Sequence, residues 1–237
     1  MQNQNLPRHI GIIMDGNGRW AKKRGMPRSM GHRQGAKTFE KIVEQARKRG
    51  VKYLTVYAFS TENRTRPQEE IETIKNLLRR YIDNIEKYRV DETMSLHFLG
   101  DISWIDDERV LAKIADIEQD YKENKDAKFI LNIAFNYGGR DEIVRAMRKI
   151  VADYSHGAEA LTEQDISKYL YTAGQPDVDL VIRTSGEVRI SNFLLWQAAY
   201  AEYIFTDTLW PDFTEKHFDA ALEEYSQRDR RIGGVSQ

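Results

Sequence analysis

A glycine-rich segment near the start of the chain combines a carboxylate with an arginine. Asp15-Gly-Asn-Gly-Arg19 directly follows an apolar run. Glycines let the backbone approach a ligand closely and turn its N–H groups inward. An aspartate can bind a hard cation such as magnesium, and an arginine can hold a phosphate. The segment matches neither the P-loop nor the dinucleotide-binding glycine pattern. A magnesium–phosphate site and a tight turn with solvated charges are the two interpretations.

Basic residues follow this segment. They run from Lys22-Lys-Arg24 through Arg28 to His32. Such a run usually forms a solvated face, but its place directly after a phosphate-friendly loop favours an anion site. Taken alone, His32 is more typical of a helix start or a polar surface than of a catalyst.

A second polar segment, Ser60-Thr-Glu-Asn-Arg-Thr-Arg-Pro67, follows another apolar, β-rich run. Asn63 and Arg66 could face a second phosphate or assist the movement of a proton. Alternatively, Ser60 or Thr65 could merely cap a helix, with proline at its start.

A third cluster lies within Asp179–Asn192 and contains Arg183, Arg189 and Ser191. The planar fork of arginine suits phosphate oxygens, so this cluster indicates another anion site. The alternative is a surface turn in which Glu187 pairs with a neighbouring arginine.

Glu202 stands at the start of the last predicted strand, after an apolar and aromatic run. It is either a solvated strand start or a second metal ligand. We expect it to converge with Asp15 and the arginine-bearing loops on one edge of the sheet.

Apolar, β-rich runs alternate with helical patterns along the chain, and these elements must position the polar segments. We predict strands at residues 10–14, 51–59, 94–99, 129–135, 178–182 and 202–205. We predict helices at residues 33–49, 68–88, 107–121, 140–154, 162–170 (capped by Thr162) and 215–228. This alternation predicts a single α/β domain over residues 1–237, with a mostly parallel six-stranded sheet flanked by helices. Ligands then bind in the loops at the carboxyl ends of the strands.

The composition excludes several classes of protein. The 237 residues carry a formal net charge of −1, which disfavours a globally basic nucleic-acid binder, and no nucleic-acid partner is expected. The absence of cysteine rules out disulfides, thiol catalysis and cysteine zinc sites. The first eight residues lack an apolar signal-peptide core, and no apolar stretch approaches the roughly 20 residues of a membrane helix. We expect a cytoplasmic protein with at most peripheral membrane contact.

The order of the motifs resembles the undecaprenyl diphosphate synthase family of cis-prenyltransferases. The similarity spans nearly the whole chain, and several long motifs in the right order make it specific. The matching segments are His9–Lys23, Arg28 with Gly31-His32, Tyr57–Asn63 with Arg66-Pro67, Asn136–Arg140, Asp179–Gln197, Ala199–Glu202, Leu209–Phe213 and Arg228–Gly234.

The resemblance implies a reaction. An allylic diphosphate, typically farnesyl diphosphate, loses pyrophosphate, and the double bond of isopentenyl diphosphate attacks the carbocation-like carbon. A proton then leaves to give a cis double bond, and the cycle repeats. The expected product is a long cis-polyprenyl diphosphate, undecaprenyl diphosphate for the cell-wall lipid carrier.

The resemblance also implies residue roles. Asp15 and Glu202 would bind Mg²⁺, and Asn63 would accept the proton, although an amide is a weak base and released pyrophosphate is an alternative acceptor. The allylic diphosphate would be bound by Gly16, Asn17, Gly18, Arg19, Trp20, Arg28 and His32. The second polar segment would contribute substrate contacts from Ser60, Thr61, Glu62, Arg64 and Arg66. Isopentenyl diphosphate would be bound by Arg183, Arg189, Ile190 and Ser191.

The resemblance also implies a homodimer, in which the glycines of the tail at Arg228–Gly234 would close the isopentenyl site of the neighbouring subunit. The growing hydrocarbon needs an apolar tunnel, which the resemblance places between the sheet and helices such as 68–88, where Leu77, Tyr81 and Ile82 could line it. The alternative is that these three residues belong to the ordinary core, because helical spacing does not separate the two.

One position departs from the family pattern. The family usually carries tryptophan after Ser-Thr-Glu-Asn, and this chain has Arg64. The change adds charge and removes an aromatic contact from a loop that helps cover substrate. Two rival functions stay open: an enzyme of the same chemistry with a short product, and a noncatalytic partner subunit. The presence of Asp15, Arg19 and the terminal Arg-x-Arg-Arg-x-Gly-Gly pattern disfavours the second.

Overall fold

Six short strands form the centre of the molecule. A computed structural model describes residues 6–84, 93–124, 127–153 and 161–228. The strands are β1 (His9–Ile13), β2 (Tyr53–Ser60), β3 (Met94–Leu99), β4 (Phe129–Tyr137), β5 (Leu180–Arg183) and β6 (Glu202–Phe205). The α-helices in these ranges are α1 (Asn17–Lys23), α2 (Arg28–Lys48), α3 (Gln68–Asp83), α4 (Glu108–Glu123), α5 (Gly139–Asp153), α6 (Glu163–Ser167) and α7 (Glu215–Ser226).

The strands form one sheet in the order β3-β4-β2-β1-β5-β6. Every neighbouring pair is parallel. The prediction of a six-stranded, single-domain α/β fold is therefore confirmed. Because β1 lies between β2 and β5, the loops that follow these three strands meet at the same edge of the sheet.

Because successive side chains of a strand point to opposite faces, the apolar strands give the sheet an apolar surface on each face. On one face, Ile10 and Ile12 of β1 belong to a large core cluster with residues of α2, α3, α4 and α7. On the other face, Ile13 packs in a smaller cluster that includes Phe193 and Leu194. Strands buried on both faces read as nearly continuous apolar runs, which explains why β1 and β4 were visible in the sequence. No helix within the described ranges is long and apolar enough to cross a membrane.

Most element boundaries lie within three residues of the predicted ones, and β3 and β6 agree at both ends. The predicted cap of α6 is confirmed, since the Thr162 side chain accepts a hydrogen bond from the backbone N–H of Asp165. Residues 85–88 of the second predicted helix and residue 154 of the fourth lie outside the described residues.

Two helix starts differ from the expectations. Helix α1, which was not predicted, begins at Asn17 within the first polar segment, and α2 begins at Arg28 rather than at residue 33. Neither helix start shows an apolar pattern: Ala21 is the buried residue of α1, and the only apolar side chain in the first turn of α2, Met30, is exposed. Tertiary packing, rather than periodicity, sets these helices.

The packing of α1 against α2 depends on the absence of a side chain at Gly31. A Cβ built on Gly31 would lie 2.0 Å from the backbone oxygen of Asn17. One built on Gly35 would lie 2.2 Å from the Asn17 side-chain oxygen. The two glycines therefore hold the Asp15–Arg19 segment close to α2.

We expect Gly31→Ala to lower the free energy of unfolding by about 1–3 kcal/mol, because overpacking against backbone outweighs the gain of up to about 1 kcal/mol in helix propensity. Urea denaturation measures this. Met30→Ala, at an exposed neighbour, is the matched control and should change stability by about 0.5 kcal/mol or less. A Gly31→Ala protein as stable as the parent would contradict the packing account.

Candidate active site

A polar cavity lies at the carboxyl ends of the three central strands. Ile13 of β1 pairs with Tyr57 of β2 and with Arg183 of β5, so the three polar segments follow at one level. The cavity has a volume of about 650 Å³. The residues of the sequence-predicted site that line it are Asp15, Asn17, Arg19, His32, Ser60, Glu62, Asn63, Arg66, Arg183, Arg189 and Ser191.

Arg183 joins two of the polar segments. Its side chain is 4% exposed, and Nη2 lies 2.9 Å from Oδ2 of Asp15. Nη1 donates to Oγ of Ser191 at 2.7 Å and also to the backbone oxygen of Arg189. The arginine at the end of β5 therefore fixes both the Asp15 carboxylate and the 189–191 segment.

The backbone of Asp15 is fixed as firmly as its side chain. The Asp15 N–H donates to Oγ1 of Thr184 at 3.0 Å, and that hydroxyl donates to the Asp15 carbonyl at 2.6 Å. Gly16 then has a φ of 111°, and a Cβ there would lie 3.1 Å from backbone of Leu209. This left-handed conformation favours glycine, and it turns the chain from β1 directly into α1.

Asp15 is held as an anion. Partial burial acts to raise its pKa, but the hydrogen bond and charge of Arg183, the charge of Arg19 and a hydrogen bond with Ser185 lower the pKa below its usual value. A carboxylate that stays charged at neutral pH can bind a hard cation.

Arg19 and Arg189 share one counterion. Nη1 of Arg19 lies 3.0 Å from Oε1 of Glu187, and Arg189 pairs with the other oxygen of the same carboxylate. Arg19 also donates to the backbone oxygen of Ser185 at 3.0 Å and lies 3.4 Å from Asp15. The predicted ion pair of Glu187 is present, and it lies within the cavity rather than on a separate surface turn.

Glu70 of α3 lies behind the cavity lining, and the sequence analysis missed it. It is 6% exposed, and its carboxylate lies 3.1 Å from His32, 2.9 Å from Arg66 and 3.1 Å from Arg28. It thus gathers three predicted phosphate ligands from two segments. The signal was available, since Glu70 lies four residues after Arg66 and four before the apolar Ile74.

His32 is not a surface residue, so that interpretation was wrong. It is 9% exposed, lies inside α2 and contributes to the polar cavity. The interpretation of Ser60 as a helix cap is correct: residues 61–65 form a 3₁₀ helix, and Ser60 and Asn63 make a reciprocal capping box. The Ser60 N–H donates to Oδ1 of Asn63 at 3.3 Å. The side-chain carbonyl of Asn63 therefore already accepts a hydrogen bond, and its side-chain NH₂ group is the available donor.

Several predicted site residues lie beside the cavity rather than in its lining. Arg28 packs over Gly18, where a Cβ would lie 2.9 Å from its guanidinium. Trp20 donates to Asp212 at 2.7 Å, and Arg64 donates to Asn136 at 2.6 Å. The predicted residues outside the lining are Gly16, Gly18, Trp20, Arg28, Thr61, Arg64, Ile190 and Glu202.

Glu202 does not converge with Asp15 within the chain, and that expectation was wrong. Glu202 pairs in register with Leu180, whereas Arg183 is the β5 residue level with Ile13. Because parallel strands begin at the edge opposite to the one where they end, Glu202 lies at the other end of the sheet. Its carboxylate pairs with Arg228 at 2.7 Å.

The donor set fits magnesium only in a shared site. Within the described residues, no three histidines or carboxylates cluster as metal ligands. Mg²⁺ is commonly bound through one or two carboxylates together with substrate phosphates and waters. The anionic, partly exposed carboxylate of Asp15 fits that kind of site.

An apolar cavity of about 440 Å³ adjoins the polar one. Leu77 and Tyr81 of α3 are in its lining, whereas Ile82 is fully buried in the core. Five residues belong to both cavities, and these are Met14, Asn17, His32, Ala58 and Ile74. The polar site therefore has an apolar compartment at its side.

Comparison with known proteins decides the family. The prenyltransferase family model described as "Putative undecaprenyl diphosphate synthase" matches residues 13–233. The chain belongs to the undecaprenyl diphosphate synthase family. It is 55% identical to an isoprenyl transferase of Fusobacterium nucleatum over 232 residues, covering 98% of both chains. It is 48% identical to one of Thermotoga maritima over 231 residues, covering 97% of this chain and 98% of the relative.

Two solved structures show the same fold. A lavandulyl diphosphate synthase from Lavandula x intermedia, in complex with dimethylallyl diphosphate, aligns with a TM-score of 0.90 at 33% identity. It covers 98% of this chain and 100% of that structure. A "probable undecaprenyl diphosphate synthase" from Campylobacter jejuni aligns with a TM-score of 0.76 at 33% identity, covering 99% and 100%. Membership of this prenyltransferase family confirms the sequence resemblance.

The Glu70 cluster predicts a pH-dependent loss of stability. The hydrogen bond with His32 and the charges of Arg66 and Arg28 lower the pKa of Glu70 below its ordinary value of 4.5, against the effect of burial. Its stabilising effect is fully present above about pH 4.5 and is lost as pH falls through the lower, folded-state pKa. We expect Glu70→Gln to be less stable than the parent at pH 7 by about 1–3 kcal/mol.

Urea denaturation at pH 7 and at successively lower pH measures this difference, which should shrink below pH 4.5 as the parent carboxylate takes up a proton. Glu72→Gln is the control on the same helix, because Glu72 makes a partly exposed pair with Arg79 and should contribute at most about 1 kcal/mol. A deficit for Glu70→Gln that does not vary with pH would rule out the charge as its cause.

Proposed function

We propose that this protein condenses isopentenyl diphosphate repeatedly onto an allylic diphosphate, farnesyl diphosphate, to give a long-chain cis-polyprenyl diphosphate such as undecaprenyl diphosphate. The observation that carries the proposal is a cavity of arginines around Asp15 that adjoins an apolar cavity. A diphosphate head and a growing hydrocarbon tail need these two environments side by side. The allylic diphosphate bound to the solved lavandulyl diphosphate synthase supports the substrate class.

The allylic diphosphate would lie against Asn17, Arg19, His32 and Arg66, all of which line the polar cavity. Asp15 would hold Mg²⁺ together with diphosphate oxygens, and the ion supplies positive charge to the departing pyrophosphate. Arg19 and Arg66 add preorganised positive charge where negative charge develops. As the carbon–oxygen bond breaks, its electron pair leaves with pyrophosphate.

Isopentenyl diphosphate would be bound by Arg183, Arg189 and Ser191. Arg183 contacts both Asp15 and Ser191, so one guanidinium would position the two diphosphates relative to each other. Holding the two substrates close together in this way favours attack of the isopentenyl double bond on the allylic carbon. Arg189 must exchange its pairing with Glu187 for substrate oxygens.

Asn63 is better placed to donate than to accept a proton. Its Oδ1 already accepts a hydrogen bond from Ser60, and a neutral amide is a weak base. We therefore propose that its NH₂ group orients a diphosphate and that the released pyrophosphate takes the proton lost from the isopentenyl unit. The loss of that proton completes the cis double bond.

The growing chain would enter the apolar cavity past Ala58, which borders both cavities. Leu77, Tyr81 and Phe39 would then contact the hydrocarbon, and this supports the tunnel expected from the sequence. Glu202 could reach a diphosphate site only from another copy of the chain, in the proposed homodimer. The tail beyond residue 228, proposed to close the partner's site, lies outside the described residues.

A short-product enzyme is the second candidate. The likeness to lavandulyl diphosphate synthase, which was solved in complex with dimethylallyl diphosphate, is the observation that keeps it open. The two candidates share every residue of the polar cavity and differ in how much hydrocarbon the apolar cavity accepts.

One assay tests both candidates. Purified protein is incubated with farnesyl diphosphate, labelled isopentenyl diphosphate and Mg²⁺, and the products are sized by chromatography. A long-chain product supports the proposed function, and a product of a few isoprene units selects the second candidate. Absence of any elongation rejects both.

We expect Asp15→Ala to lower turnover by about two or more orders of magnitude, because a group that stabilises transition-state charge is removed. The variant should keep its circular dichroism spectrum but unfold at a lower urea concentration, because the buried Arg183 loses its carboxylate partner. Asp116→Ala, at an exposed position of α4, is the control with unchanged turnover. Near-normal turnover of Asp15→Ala with Mg²⁺ would refute the role of Asp15.

We expect Ala58→Leu to shorten the products, because a larger side chain would narrow the passage between the two cavities. The first condensation should be affected less than the later ones, since the hydrocarbon tail is then at its shortest. Product sizing at equal conversion measures the effect, with Ala112→Leu, exposed on α4, as the control. Products of unchanged length would contradict the proposed path of the chain.

A further inference from the structure

Arg64, the departure from the family pattern, has contacts that the proposed reaction does not use. It lies in the 3₁₀ helix 61–65, between Asn63 and Arg66. Asn63 and Arg66 line the polar cavity, whereas Arg64 lines neither cavity. Its side chain points instead to the end of β4, so its role must be sought there.

Three groups surround the Arg64 guanidinium. Nε donates to Oδ1 of Asn136 at 2.6 Å. Nη2 lies 3.7 Å from Oδ2 of Asp101, and the guanidinium carbon lies 5.7 Å from the centre of the Trp104 ring. A hydrogen bond from a cation is stronger than a neutral one, whereas an exposed ion pair contributes little. The bond to Asn136 is therefore the main attachment.

The groups that receive Arg64 belong to the fixed frame of the protein. Asn136 is fully buried, has a φ of 50° and donates from Nδ2 to the backbone oxygen of Asp101 at 2.8 Å. Trp104 stacks on Phe59 of β2 at 5.0 Å and has the ammonium of Lys75 4.1 Å from its ring centre. Arg64 thus attaches a surface helix to side chains that packing holds in place.

The other described side-chain attachments of this segment use residues of the cavity. Asn192 donates to Oε1 of Glu62 at 2.8 Å, and Arg66 pairs with Glu70 at 2.9 Å. Glu62, Asn192 and Arg66 all line the polar cavity, so a bound diphosphate would compete for the Asn192 and Arg66 donors. The attachment through Arg64 is independent of that competition.

We propose that Arg64 is a positioning residue that fastens the 61–65 helix to the end of β4 and holds Asn63 and Arg66 at the polar cavity before substrate binds. We call the contacts of Arg64 with Asn136 and Asp101 the clamp. If only a fraction of molecules has the helix in place, the apparent affinity for substrate falls by that fraction. The clamp itself does not rest on the proposed function, and only its kinetic consequence does.

Hydrogen exchange of the unliganded protein tests the clamp directly. Arg64→Met removes the donors and keeps an unbranched chain, and Arg64→Lys keeps the charge without the planar fork. We expect amides of residues 61–66 to exchange about tenfold faster in Arg64→Met, with Arg64→Lys intermediate. Arg109→Met is the control, because Arg109 is an exposed arginine of α4 that pairs with Asp83. It should leave exchange at 61–66 unchanged.

Steady-state kinetics of the same variants test the consequence. We expect the KM for the allylic diphosphate to rise about tenfold in Arg64→Met, with kcat within about twofold, since saturating substrate restores the bound arrangement. Unchanged exchange at 61–66 would overturn the proposal. If exchange is unchanged and the KM is nevertheless raised, Arg64 is instead a direct substrate contact.

Failure of the proposed function is distinguishable from failure of the clamp. A parent protein without turnover would reject the proposed function, yet faster exchange in Arg64→Met would still support the clamp. Circular dichroism verifies that each variant is folded. If Arg64→Met does not fold, Arg64→Gln is compared with the parent in the same two measurements, and the same outcomes decide.

Discussion

The buried pairing of Arg183 with Asp15 is the constraint on which the rest of the site depends. A guanidinium that is 4% exposed must be paired, because an uncompensated buried charge costs several kcal/mol. Arg183 meets this need by contacting the first polar segment and the 189–191 segment together. The end of β5 therefore sets the distance between two loops that are more than 160 residues apart in sequence, and it keeps Asp15 ionised.

Two further sets of contacts position the rest of the site around the Arg183–Asp15 pair. Gly31 and Gly35 let α1 approach α2, which brings His32 to the cavity. Glu70 then collects His32, Arg28 and Arg66. Gly31, Gly35 and Glu70 bind no substrate in the proposed reaction. Their contacts hold the substrate-binding side chains in position.

Much of the fold could be predicted because its strands are buried on both faces and appear as apolar runs. Helix α1 could not, since glycine, asparagine and basic residues dominate it and tertiary contacts with α2 and with Asp212 stabilise it. The site was predictable where motifs follow strand ends, as at Asp15 and Arg183. It was mispredicted at Glu202, which begins a strand, because the direction of a strand decides the edge that a residue occupies. Glu70 was missed because its importance lies in partners 38 and 42 residues distant, His32 and Arg28.

The lining of the polar cavity has a consequence for charge balance. Four arginines, Arg19, Arg66, Arg183 and Arg189, face three carboxylates, Asp15, Glu62 and Glu187, so the excess is a single positive charge. Each diphosphate of the proposed reaction carries at least two negative charges. One substrate already reverses the sign of the cavity, and a second would enter against repulsion. A divalent cation would therefore be needed to let both substrates occupy the site together, in addition to any part it takes in bond cleavage.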